Sequence, residues 1–102
     1  MPSYLWFLDW SDEVSEQISL LSHNERMAVF AKIAALAFAE NPYAVDGVEK
    51  LAETRFEGQR RIRQGNWRIR FKVELGEIIE QGFTYKGRLV IVAVKDRKDA
   101  YK

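Results

Sequence analysis

A chain of 102 residues without cysteine forms one domain, residues 1–102, large enough for a single core and independent of disulfides or thiol chemistry. Its net charge of +1 conceals an asymmetry: residues 1–54 hold three basic and nine acidic groups, residues 55–102 thirteen and six. The halves therefore carry −6 and +7, which places any polyanion partner against the C-terminal half.

Ser3–Trp10 reads as a first strand rich in aromatics. It is short and carries Asp9, so it makes neither a signal peptide nor a membrane span, and the cytoplasm is the expected location. Ser11 caps a helix with Asp12 and Glu13 in its first turn, where carboxylates favour the positive end of the helix dipole. Val14, Ile18 and Leu21 share one face of it. Ser22-His23-Asn24-Glu25 is a capping box, so a second helix begins at once and runs through Met27, Phe30, Ile33, Ala34 and Ala37. Asn41-Pro42 stops it. The short turn makes the pair an αα-hairpin.

Pro42–Gly47 is a loop, and Val48–Leu51 reads as a helical turn. From Trp67 the pattern alternates: Trp67, Ile69, Phe71, Val73 and Leu75 are apolar, while Arg68, Arg70, Lys72 and Glu74 are charged. That is a strand with one face on a core and one in water. Gly65-Asn66 just before it is a two-residue hairpin signal. Such a loop pairs Arg63 with Arg68, Ile62 with Ile69 and Arg61 with Arg70. Opposed residues share a face, so Ile62 joins the core and four guanidiniums gather on the other side. Like charges directly opposite repel, and this concentration points to an anion that offsets the repulsion. Gly76–Gly87 mixes its signals, and Arg88–Val94 is apolar on both faces, as in a central strand. The order β-α-α-β-β-β describes an α+β domain with helices on one face of a mainly antiparallel sheet and arginines on the other.

Three features in order carry a family resemblance. Val48-Glu49-Lys50-Leu51 leads into Arg63-x-Gly65-x-Trp67-Arg68, and an apolar strand then ends in Asp96-Arg97-Lys98-Asp99-Ala100-Tyr101. This resembles the RelE/ParE superfamily of toxins from type II toxin–antitoxin systems, and the terminal Arg and Tyr are similar to its RelE branch. The resemblance implies a metal-independent endoribonuclease without cofactor, which cuts mRNA in the ribosomal A site and is neutralised by a cognate antitoxin. It assigns Arg61, Arg63, Arg68, Arg97 and Tyr101 to catalysis; Arg60, Arg70, Lys95 and Lys98 are the neighbouring candidates for RNA-binding cations.

Cleavage by the 2′-OH needs a base, cations on the phosphate and an acid for the leaving 5′-oxygen. Arginines supply the bidentate charge stabilisation, and Tyr101 is a candidate for proton transfer. The best-known RelE pattern has lysines where this chain has Arg61 and Arg63. Arginine does not deprotonate, so neither serves as base, and Lys95 and Lys98 are the substitutes. Two rival readings are a ParE-like inhibitor of DNA gyrase, against which the Arg97/Tyr101 pair argues, and a catalytically inactive RNA- or protein-binding module. His23 is a lone histidine at a helix start, and no cluster has metal-ligand spacing. Trp6, Trp10 and Trp67 follow strand patterns and belong to the core.

Overall fold

The computed structural model describes residues 4–99. The chain runs β1 (Phe7–Trp10), α1 (Asp12–Ser19), α2 (His23–Phe38), β2 (Glu49–Lys50), β3 (Arg60–Gln64), β4 (Trp67–Glu80) and β5 (Phe83–Asp96). Short 3-10 turns occupy Pro42–Ala44 and Thr54–Phe56. The sheet order is β1-β5-β4-β3-β2, antiparallel except for the β1–β5 pair. This is the α+β architecture expected from the sequence.

Both helix caps form as their residues dictate. Ser11 Oγ accepts from the Val14 N–H at 3.4 Å. Ser22 Oγ accepts from the Glu25 N–H at 3.3 Å, and Glu25 returns an acceptor to the Ser22 N–H at 3.0 Å. Val14, Ile18 and Leu21 are buried. In α2 the buried stripe is Val29, Ile33, Leu36 and Ala37, a spacing of four, three and one, whereas Met27 lies exposed. These side chains meet Ile62, Ile69, Phe71, Leu89 and Ile91 from one face of the sheet. Every aliphatic of that group is almost fully withdrawn from water, each contributing about 1.5–3 kcal/mol. No helix among the described residues is long and apolar enough to cross a membrane.

Three boundaries differ from expectation. The first strand is shorter, because the Leu5 and Trp6 N–H groups both donate to the Ala37 carbonyl at the end of α2 rather than to a neighbouring strand. Val48–Leu51 is not a helical turn: Glu49 and Lys50 pair with Arg61 and Arg60, and the 3-10 turn falls later. The mixed segment Gly76–Gly87 is a continuous ribbon in which β4 and β5 extend past the core to a turn at Gln81-Gly82. Both turn residues have positive φ, +49 and +82, as a type I′ loop requires.

Candidate nucleic-acid interface

The β3–β4 hairpin takes the register its two-residue loop demands: Arg63 opposes Arg68, Ile62 opposes Ile69 and Arg61 opposes Arg70. Gly65 supplies the positive φ, +59, at the first loop position. Ile62 and Ile69 enter the core, so the arginines project from the face opposite the helices.

β5 completes that face through a bulge. Arg70 pairs with Ala93 but Phe71 pairs with Ile91, leaving Val92 as the extra residue. Strict alternation from the buried Leu89 and Ile91 would turn Lys95 towards the helices. The bulge resets the phase, so Val94 is buried and Lys95 stands opposite Arg68. Two rows then cross the sheet. One is Arg63, Arg68 and Lys95; the other is Glu49, Arg61, Arg70 and Ala93. With strands about 4.8 Å apart, the backbone positions of the first row lie within roughly 10 Å of one another.

The rows are held differently. Arg68 Nη1 donates to the carbonyls of Gly65 and Trp67 at 3.0 and 3.1 Å, which folds its guanidinium over the hairpin turn. Arg61 donates to Glu49, and Glu49 also lies 3.8 Å from Arg63 Nε. Arg70 stacks its guanidinium 4.5 Å from the ring centre of buried Phe56, and Arg55 lies 4.6 Å from the same ring. A shallow cavity of about 280 Å³ opens beside Arg61, walled by Phe56 and Lys50–Glu53. The second row is therefore packed against Glu49 and Phe56, while in the first Arg63 is exposed and Arg68 and Lys95 are half-buried.

The tail reaches the same end of the sheet. The Arg97 N–H donates to the Asn66 carbonyl at 2.8 Å, which seats Arg97 beside the hairpin turn. The Lys98 N–H donates to Asp96 Oδ1 at 3.0 Å and the Asp99 N–H to the Asp96 carbonyl at 2.9 Å, so the chain turns here with Arg97 and Lys98 exposed. Arg60 is not brought to this face: it opposes Phe71 and lies over the Tyr43 ring at 4.6 Å, on the helix side. Tyr101 lies outside the described residues.

The contacts that Glu49, Phe56 and Glu25 make here were not read from the sequence. The first two had no signal, because only the strand order brings them to the arginines. Glu25 has a second duty beyond its cap: its Oε2 accepts from the Trp67 indole N–H at 2.8 Å, tying the helical hairpin to the first residue of β4. That bond, with those from Ser22, holds the Glu25 carboxyl below the usual carboxylate range. His23 opens α2 and is exposed. Among the described residues no group of His, Cys, Asp or Glu is placed to hold a metal ion. Chemically, the face offers fixed guanidiniums for phosphate, with the Lys95 amine opposite Arg68.

No family model and no curated protein matches the sequence significantly. Solved structures do match in fold. A chain from the archaeal RelE–RelB complex of Pyrococcus horikoshii superposes with a TM-score of 0.64 at 17% identity, over 94% of this chain and 99% of its own. One from the RelB–RelE antitoxin–toxin complex of Methanococcus jannaschii gives 0.58 at 16%, over 91% and 94%. One from the RelBE2 toxin–antitoxin complex of Mycobacterium tuberculosis gives 0.54 at 15%, over 90% and 98%. The chain has a RelE-like fold along nearly its whole length.

Proposed function

We propose that this chain is the toxin of a type II toxin–antitoxin pair and acts as a ribosome-dependent mRNA endoribonuclease in the cytoplasm. The reading rests on one observation above the others: the row Arg63, Arg68 and Lys95, with Arg97 seated at its end, on the open face of a RelE-like sheet. In it, Arg68 and Arg97 hold the scissile phosphate as charge builds, Arg63 steers the backbone, and Arg61 and Arg70 maintain the local field. Lys95, Lys98 and Tyr101 are the candidates for proton transfer. An antitoxin segment carrying acidic and apolar residues covers this face.

Induction of the chain alone should stop growth by loss of translation, with mRNA cut inside reading frames. Growth arrest with intact mRNA and a DNA-damage response would replace this reading with gyrase inhibition; RNA binding without cleavage would leave a binding module. In single-turnover cleavage on programmed ribosomes, Arg68→Ala or Arg97→Ala should cost about 100- to 1,000-fold in rate. Tyr101→Phe should cost about 100- to 10,000-fold if its hydroxyl moves a proton. A Phe variant that cuts at the normal rate moves that role to Lys95, Lys98 or the ribosome.

A further inference from the structure

β4 outruns its neighbour. The β3 ladder ends at the Arg60–Phe71 pair, whereas β4 continues to Glu80 against β5 alone. Among the described residues, no strand pairs with the outer edge of residues 72–80. At Val73 a side chain stands in for the missing strand: Tyr43 Oη accepts from the Val73 N–H at 2.9 Å and donates to the Gly58 carbonyl at 3.2 Å. Two residues on, the edge becomes apolar and open, with Leu75 85% and Ile79 67% exposed. A cleft of about 460 Å³ lies beside it, between Trp6, Tyr43, Val73 and Leu75. An open edge with exposed apolar side chains is a template for another strand.

Charge narrows the occupant. Between Leu75 and Tyr85 the charged residues are Glu77 and Glu80, both acidic and both exposed. A polyanion is repelled from this end of the molecule. A second copy paired edge to edge about a two-fold axis would set these glutamates against their own equivalents, which disfavours it. We propose that the outer edge of β4, from Val73 to Glu80, docks an extended segment of a partner protein as an added strand. The register shift between Leu75 and Ile78 puts Leu75 and Glu80 on one face and Ile79 on the other, so aliphatic side chains meet Leu75 and Ile79 from opposite faces, with Lys or Arg beside Glu77 and Glu80. This site is separate from the arginine face and does not depend on the cleavage reading.

Fluorescence anisotropy at physiological salt tests it with the labelled octapeptide Lys-Lys-Val-Val-Lys-Lys-Val-Val, which as a strand carries both residue types on each face. Two controls accompany it: the serine/valine counterpart, and the lysine/valine peptide N-methylated throughout, which cannot donate to a strand. The lysine/valine peptide should bind at least about tenfold more tightly than either, and Ile79→Lys or Glu80→Lys should each weaken it about tenfold. Both positions are exposed, so the variants should fold, and neither should alter mRNA cleavage. Equal binding of the N-methylated peptide, no binding of the lysine/valine peptide, or full binding by both variants would overturn the proposal. So would a dimer of the chain in sedimentation velocity that Ile79→Lys abolishes, since the occupant would then be a second copy.

Discussion

Glu49→Gln should lower stability and raise affinity for RNA at once. The substitution keeps the side chain's shape and its capacity to accept a hydrogen bond, and removes one charge beside Arg61 and Arg63. The Arg61 side chain is 13% exposed and that of Glu49 48%, so water screens the pair only from one side. Exchanging a charged acceptor for a neutral one forfeits about 1 kcal/mol, and the half-exposed glutamate reduces this towards about 0.5 kcal/mol. In a domain of this size 1 kcal/mol moves Tm by about 4–8 °C, so thermal melts should show a fall of about 2–8 °C. Binding changes in the opposite sense, because both arginines lose the carboxylate that competes with phosphate. One further phosphate contact steepens the dependence of log K on log salt by about 0.7 for a single strand. Anisotropy with an unstructured RNA oligonucleotide, titrated across a series of KCl concentrations, measures that slope. A lower Tm with an unchanged slope would refute the reasoning, since it would show that Arg61 and Arg63 serve Glu49 and never reach the nucleic acid.

Gly87→Ala would place a Cβ 2.2 Å from the Glu74 carbonyl oxygen and 3.1 Å from Trp6 Cζ3, a clash with backbone that forces β4 and β5 apart. A loss of about 1–3 kcal/mol is expected by urea unfolding, against a smaller, purely conformational cost for Gly58→Ala, where φ is +81 and the space is open. The depressed carboxyl of Glu25 predicts a pH effect with a definite sign. Its stabilisation is complete above the ordinary glutamate value, about 4.3, and disappears as pH falls through the lower folded value. Glu25→Gln should therefore melt lower than the parent at pH 7 and converge with it in strong acid; a constant gap at all pH values would remove the carboxylate from the account.

The parts whose physics is local were legible in the order of the residues. Two capping serines, the alternation from Trp67 and the Gly65-Asn66 loop suffice for two helices and one hairpin, since caps, strand period and loop length act within a few residues. Because a two-residue loop allows one register, it also placed Arg61, Arg63, Arg68 and Arg70 on one face. Gln81-Gly82, a weaker turn signal between apolar runs, hid the second hairpin, whose outer half has no core to give it a clear alternation. Everything that depends on a neighbouring strand was decided by the tertiary structure. The bulge at Val92 is invisible in an apolar run, yet it alone carries Lys95 to the arginines. Arg60 shares the face of Ile62 by the strand period alone, but only the fold shows that its guanidinium lies over Tyr43. Glu49 and Phe56 reach the basic rows only because β2 closes the sheet beside β3 and the following turn folds back over Arg70. Composition states how many cations a chain holds; strand order and phase decide which of them share a surface.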